Sequence, residues 1–324
     1  KIINVLVTGA YGFLSGLIIR ELLNRNFDVR AMFRAGSDAP ALHGLDVELF
    51  HGNITNPGDV NNAAAGCDYI IHTAADTSQN HIRMSDYFRV NYEATRFVAE
   101  SALMHDCKRL VFVGTANAFG SGTPENPGDE IRALSSLFKR SGDAVSKKAA
   151  QDLVKEYCIK KGLNAVIVNP SFMLGELDYK PSSGKIFRMI LGKRIAFYPP
   201  GGKNFVSVKA VAAATVNALN YGISGEAYLL TGTDMSYRDF FRLASEKAGQ
   251  NTWLIPVPAL SLLLVGTAGS LLKLCRIKTS VDLTNTRILC RKFHYSNEKA
   301  RKHLFLEECN IHNVTQECID WFIR

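Results

Sequence analysis

The sequence predicts an α/β protein built on a doubly wound parallel sheet, followed by a smaller, mostly helical C-terminal part. Three observations predict it. Most of six short runs in the first half are apolar throughout rather than alternating, as strands buried on both faces should be. Helical patterns separate most of them, and strand–helix alternation at this spacing gives parallel pairing with right-handed crossovers. After about residue 171 the rhythm breaks. A chain of 324 residues is long for one core. The expected division is a dinucleotide-binding domain over 1–170, to which segments near 204–232 return, and a substrate domain over 171–324.

In order, the predicted strands are INVLVTG (2–8), DVRAMF (28–33), VELFHG (47–52), DYIIHTA (68–74), RLVFVG (109–114) and NAVIVNP (164–170). Helical patterns cover 12–26, 57–65, 81–105 and 141–161. Beyond them, PSSGKIFRMILGKRIAFYPPGGKNF reads as a short helix between turn residues and then a short strand. GEAYLLTG (225–232) reads as a strand, and 236–324 as mostly helix. From Asn251 to Leu272 there is no charge, a length that invites testing as a membrane span. Two prolines near its start, with Ser261, Gly266, Thr267, Gly269 and Ser270, argue instead for a buried or substrate-covering helix from about Pro258. The alternative is peripheral membrane contact through 254–278, backed by Lys273, Arg276 and Lys278.

VLVTGAYGFLSG leaves the first strand and opens the first helix. Gly9 and Gly12 there permit a tight turn and close approach of backbone to a pyrophosphate at a helix N-terminus. The fold is therefore expected to be of Rossmann type. At the end of the second strand a carboxylate would suit the ribose hydroxyl of NAD, and a cation the phosphate of NADP. The sequence offers Arg30 and Arg34 and no acid until Asp38, so NADP is expected before NAD.

The spacing G-x-x-G-x-x-G, with Ser15 and Gly16 at its third position, resembles the short-chain dehydrogenase/reductase superfamily. Further stretches resemble its extended branch of nucleotide-sugar epimerases, dihydroflavonol reductases and 3β-hydroxysteroid dehydrogenases: HGNITNP (51–57), DYIIHTAA (68–75), RVNYEATRFVAESA (89–102), NPSFMLGELD (169–178) and YSNEKARKHL (295–304). They span nearly the whole chain in the right order, and 181–208 most resembles the dihydroflavonol-reductase-like bacterial members. The resemblance implies a cofactor held against Gly9, Tyr11, Gly12, Phe13, Leu14, Arg34, Asn53, Ile54, Thr73, Ala74, Ala75, Lys147, Pro170 and Phe172, with Asn91 at the family's structural asparagine. Asn53 stands where the family has an acid that contacts adenine.

The family's proton chemistry uses a hydroxyl after the fifth strand and a Y-x-x-x-K helix motif. FVGTANAFG makes Thr115 the hydroxyl, and SKKAAQ aligns Lys147 with the ribose-holding lysine. Asp143 then stands where Tyr belongs. Aspartate starts near 3.9, and a neighbouring lysine pushes it lower unless burial outweighs both effects. Impaired catalysis is expected. Tyr157 and Lys161 also spell Y-x-x-x-K, but two residues before the sixth strand, at the wrong end of their helix. Ser207, Ala210 and Asn169 are further departures from the family pattern.

Charge narrows the remaining classes. The net +8 suits anionic ligands, but no basic run with interleaved aromatics suggests nucleic acid. Seven scattered cysteines form no C-x-x-C, so neither a zinc site nor a disulfide framework is expected. With no signal peptide expected, a cytoplasmic location follows, and a homodimer through 81–105 and 141–161 is possible. The leading expectation is an NADP-dependent reductase of a carbonyl on a small or apolar substrate, impaired by Asp143. The alternatives are a non-catalytic NADP-binding protein and a nucleotide-sugar epimerase or dehydratase.

Overall fold

The computed structural model describes residues 3–78, 81 and 83–323. The strands are β1 (Asn4–Thr8), β2 (Asp28–Phe33), β3 (Glu48–His51), β4 (Tyr69–His72), β5 (Arg109–Val113), β6 (Ala165–Pro170), β7 (Phe172–Leu174), β8 (Ile195–Tyr198), β9 (Gly202–Ser207), β10 (Ala227–Leu230), β11 (Thr233–Ser236) and β12 (Trp253–Pro256). Seven of them form one parallel sheet in the order β3-β2-β1-β4-β5-β6-β10. The order reverses between β1 and β4, and ligands of open α/β sheets bind outside the carboxyl ends of the strands at such a point.

The helices are α1 (Phe13–Asn24), α2 (Pro57–Ala64), α3 (Met84–Phe88), α4 (Ala94–Met104), α5 (Gly142–Lys161), α6 (Val208–Tyr221), α7 (Tyr237–Lys247), α8 (Ala259–Leu274), α9 (Leu283–Leu289), α10 (Glu298–Leu304) and α11 (Ile311–Ile323). Along β1, Val5 and Val7 join the core shared with α1 and α6, whereas Leu6 joins the core shared with α2, α4 and α5. A strand that serves two cores must be apolar at every position, which is why the alternation is missing. A third core, around Phe187, Phe205, Phe240 and Ile319, belongs to the C-terminal part.

Each end of α5 is written in its sequence. The Ser141 hydroxyl accepts from the Ala144 N–H (3.4 Å), Asp143 lies in the first turn and Lys160 and Lys161 in the last. Gly162 closes it with φ +71°, the left-handed region that glycine tolerates best.

Two expectations are corrected and one is extended. The pattern over 81–105 is α3, a π-helical turn over 89–93 and α4, with Asn91 in the π turn; its start at Ile82, like the start of the first strand at Ile2, lies outside the described residues. The C-terminal part is mostly helical, as expected, and adds two small sheets: β7, β9 and β11 form a mixed one, and β8 pairs with β12. The uncharged stretch 251–272 splits into strand and helix, and α8 is not buried. Only Gly266 and Gly269 of its sixteen residues are fully enclosed, although its inner side covers a cavity. No helix among the described residues is long and apolar enough to cross a membrane.

Candidate active site

The loop from β1 into α1 packs closely against the loop after β4. Gly9 has φ +67°, and a Cβ there would sit 2.7 Å from the Ala74 Cα, so no other residue fits. The buried Ser15 hydroxyl donates to the carbonyls of Gly9 (2.8 Å) and Gly12 (2.9 Å), fastening the loop that a third glycine would otherwise pack. No side chain caps the N-terminus of α1. Its first-turn N–H groups therefore remain for an anion, and Phe13 and Leu14 supply them. The loop fits a dinucleotide's pyrophosphate.

The rest of the expected cofactor surface is heterogeneous. Arg34 is exposed at the end of β2. Arg30 is not a candidate: it donates to the carbonyls of Ala63 and Ala65 and pairs with Glu48 at 2.8 Å. The Asn53 side chain accepts from the Thr55 N–H (3.1 Å) and hydroxyl (2.9 Å), and Ile54 packs on the core. Thr73 donates to the Thr8 carbonyl at 2.5 Å, and the Ala74 N–H to the Thr8 hydroxyl at 3.4 Å. Tyr11 lies under the Lys180 ammonium at 5.0 Å. His72, behind this surface, is held between Thr8 (2.7 Å) and Thr95 (3.1 Å), and burial pushes its pKa down to about 3.

Asn91 acts as a strut. It accepts from the Asp76 N–H (2.7 Å), and donates to the Asp76 carbonyl (3.0 Å) and the Ser146 hydroxyl (2.9 Å). Ser146 in turn donates to the carbonyl of Asp143 at 3.1 Å. The first turn of α5 is thereby fixed against the loop that follows β4.

Asp143 and Lys147 share one face of that turn, with Oδ1 and Nζ 3.9 Å apart. That is an ion-pair separation, too long for a hydrogen bond. Asp143 Oδ1 is closed off from solvent with no hydrogen-bond partner among the described residues. Burial raises the pKa of this carboxyl above the ordinary aspartate value; Lys147 opposes the rise and Asp76 adds to it. Of the two opposing effects weighed from the sequence, desolvation is the larger, because the lysine is too distant to hydrogen-bond the charged form.

Thr115, Asp143, Pro170 and Phe172 line a single cavity of about 860 Å³. The Thr115 N–H donates to Asn169 Oδ1 (3.0 Å), and its hydroxyl accepts from the Asn117 N–H (3.3 Å). Asn169, in place of the family's arginine, is thus a buried anchor for the Thr115 backbone. The far walls are mixed: Leu262 and Val265 of α8, Ile288 and Leu289 of α9, and Phe293 give apolar surface, and Lys273, Asp282, Asn285 and Arg287 stand among them. Lys147 is buried beneath Asp143, and Gly9 and Arg34 lie outside the cavity wall. Tyr157 is elsewhere, donating to Glu100 at 3.1 Å with Lys161 over its ring at 3.9 Å.

Other groups in the wall were not among the predicted site residues. Lys203 lies 4.8 Å above the Phe172 ring, and burial lowers its pKa to about 8. Tyr87 donates to the Ser78 carbonyl (2.7 Å) and faces His81, which meets Asp76 at 2.7 Å. The Tyr295 hydroxyl is buried without a partner among the described residues. Lys203 sits inside GGKNFV, where only the later Ser207 and Ala210 attracted notice. Ser207 caps α6 instead, accepting from the Ala210 N–H at 3.5 Å.

The profile of the NAD dependent epimerase/dehydratase family matches residues 5–230. The chain belongs to that family. Sterol demethylase protein B of Methylococcus capsulatus is 31% identical over 258 residues, 79% of this chain and 77% of its own. A putative dihydroflavonol 4-reductase of Synechocystis is 26% identical over 327 residues, 98% of this chain and 93% of its own. The crystal structure of gox2253 shares 28% identity and a TM-score of 0.86, covering 99% of this chain and 98% of that one. The UDP-glucose 4-epimerase of Thermus thermophilus, solved with NAD, has a TM-score of 0.78 at 19% identity, covering 99% of both chains, and shows the fold. Reductases, dehydrogenases and epimerases all occur among these relatives of this extended, NAD(P)-binding type.

Proposed function

We propose that this chain is an NADP-dependent reductase of a carbonyl on an apolar substrate, with Asp143 as its proton donor. The observation that carries the reading is the cavity itself. Thr115 and Asp143 stand on one side, and Leu262, Val265, Ile288, Leu289 and Phe293 supply apolar surface across from them within a mixed wall. Relatives bear names of sterol, dihydroflavonol and cinnamoyl-CoA chemistry, which supports a substrate with an apolar skeleton. The exposed Arg34, with no acid beside it, supports NADP.

Bound NADPH supplies the hydride that reaches the carbonyl carbon. The chain manages the oxygen. The Thr115 hydroxyl accepts from Asn117, so its own proton is available to the substrate oxygen and orients it. The Asp143 carboxyl in its protonated form, which desolvation favours, delivers its proton to that oxygen as charge develops. The carboxylate left behind is stabilised by Lys147 until water returns the proton. Aspartate is shorter than tyrosine by several ångströms, so the substrate must lie deeper or a water must bridge. Turnover is correspondingly slow.

A second reading, NADP binding without turnover, is favoured by the absence of tyrosine at 143. The two separate in one experiment: NADPH binding by fluorescence, then turnover with a panel of apolar ketones and aldehydes. Binding with turnover supports the reductase. Tight binding with no turnover on any member supports the second reading.

A further inference from the structure

The outer side of α8 is an apolar face turned to solvent. Leu260, Leu264, Leu271 and Leu274 fall within one quadrant of the helix and are 69%, 64%, 58% and 80% exposed. Leu272 widens the face, and Trp253 of β12, which leads into α8, is 70% exposed. The opposite side explains why the helix is held so firmly in this pose. A Cβ on Gly266 would lie 2.0 Å from Thr286 Oγ1, and one on Gly269 2.0 Å from the Val281 carbonyl. The two glycines let α8 press against the backbone before and along α9, which fixes the leucines outward. Contiguous exposed apolar surface of this kind marks a contact site.

Charge identifies what it contacts. Residues 251–292 carry six cations (Lys273, Arg276, Lys278, Arg287, Arg291, Lys292) and one acid, Asp282, a local +5 within the chain's +8. Asp282 is paired with Lys273. Arg276 and Lys278, just past the end of the helix, are exposed. A leucine face bordered by cations complements an anionic bilayer surface. Sixteen residues span about 24 Å as helix, short of a bilayer's hydrocarbon core, so the helix lies in the surface.

We propose that α8 docks the protein on an anionic lipid bilayer, leucine face inward, with Arg276 and Lys278 among the headgroups. The inner side of the same helix roofs the cavity through Leu262 and Val265. An apolar substrate dissolved in the bilayer would therefore meet the cavity at its roof; that consequence rests on the reductase reading, whereas docking does not.

The test is co-sedimentation with vesicles of phosphatidylcholine alone and of phosphatidylcholine mixed with phosphatidylglycerol. Trp253 emission is followed in parallel, with Trp253→Phe separating it from Trp321. The full chain should bind the mixed vesicles at least tenfold better than the neutral ones, with a blue shift from Trp253. Arg276→Gln with Lys278→Gln should remove most of that preference. Leu260→Ser, Leu264→Ser, Leu271→Ser and Leu274→Ser together should abolish binding while NADPH affinity is kept. Should the quadruple variant fail to fold, Leu264→Ser with Leu271→Ser is expected to weaken binding at least tenfold. Absence of binding to mixed vesicles, or equal binding by the leucine variants, overturns the proposal. So does a concentration-dependent dimer in light scattering that the leucine variants dissolve, since the face would then be covered by a second copy. None of these readouts needs turnover, so docking and the reductase reading fail separately.

Discussion

Replacing Asp143 with asparagine keeps the shape of the side chain and removes its proton, so catalysis and stability should move in opposite directions. Loss of a general acid costs about 10²- to 10⁴-fold in rate, or about 3–5 kcal/mol of barrier. NADPH affinity should stay within about twofold, because Lys147 and the phosphate loop are untouched. Stability follows from the direction of the acidity shift. A carboxyl whose folded value is raised contributes stability below its unfolded value and loses it as pH rises through the folded value. At neutral pH the wild-type carboxylate therefore sits in an unfavourable place that asparagine does not share. Asp143→Asn should unfold at higher denaturant concentration than wild type at neutral pH, and the gap should close below the ordinary aspartate range. The assays are turnover with the best ketone of the panel and urea unfolding at several pH values. Wild-type kcat should also fall as pH rises through the Asp143 ionisation. Full activity in the asparagine variant would remove Asp143 from the mechanism. Lower stability at neutral pH would mean that the Lys147 pair outweighs desolvation after all.

Other perturbations reach the remaining parts of the account. Gly9→Ala forces a Cβ to 2.7 Å from Ala74 and puts alanine at positive φ. It should raise the NADPH dissociation constant about tenfold or more by calorimetry, given about 1–2 kcal/mol for the left-handed backbone alone. Arg34→Asp should weaken NADP by roughly 10- to 100-fold, the worth of a charged hydrogen bond, and leave NAD within a fewfold; equal loss of both would deny Arg34 a part in selectivity. His72 refuses a proton until about pH 3, while the unfolded chain accepts one near 6.5. The stability it contributes is present above 6.5 and lost as pH falls toward 3, about 2 kcal/mol by roughly pH 5. Urea midpoints that do not fall over that interval would contradict it.

Elements set by short-range pattern were legible in the sequence. The buried strands, α1 and α5 lie within a residue or two of their expected bounds, because continuous apolar runs and end signals such as Ser141 and Gly162 are local. Gly9, Thr115, Asp143 and Lys147 could be picked out for the same reason, each from a motif on one stretch of chain. What could not be read depends on distant partners. Whether Lys147 or burial governs Asp143 turns on a 3.9 Å gap and on walls drawn from α8 and α9. Lys203 has a lowered pKa because it is buried near Phe172, thirty-one residues earlier, and nothing in GGKNFV says so. The exposure of α8 was equally hidden: an uncharged stretch reads the same whether its leucines face a core or the solvent.

The most direct test is a single-turnover experiment with NADPH bound to the full chain and an apolar ketone in excess, following loss of the reduced nicotinamide absorbance. The account predicts stoichiometric oxidation of the bound NADPH, slower at high pH, at least a hundredfold slower in Asp143→Asn and faster in Asp143→Tyr. Bound NADPH that stays reduced with every ketone and aldehyde tried, in the wild type and in Asp143→Tyr alike, would contradict it.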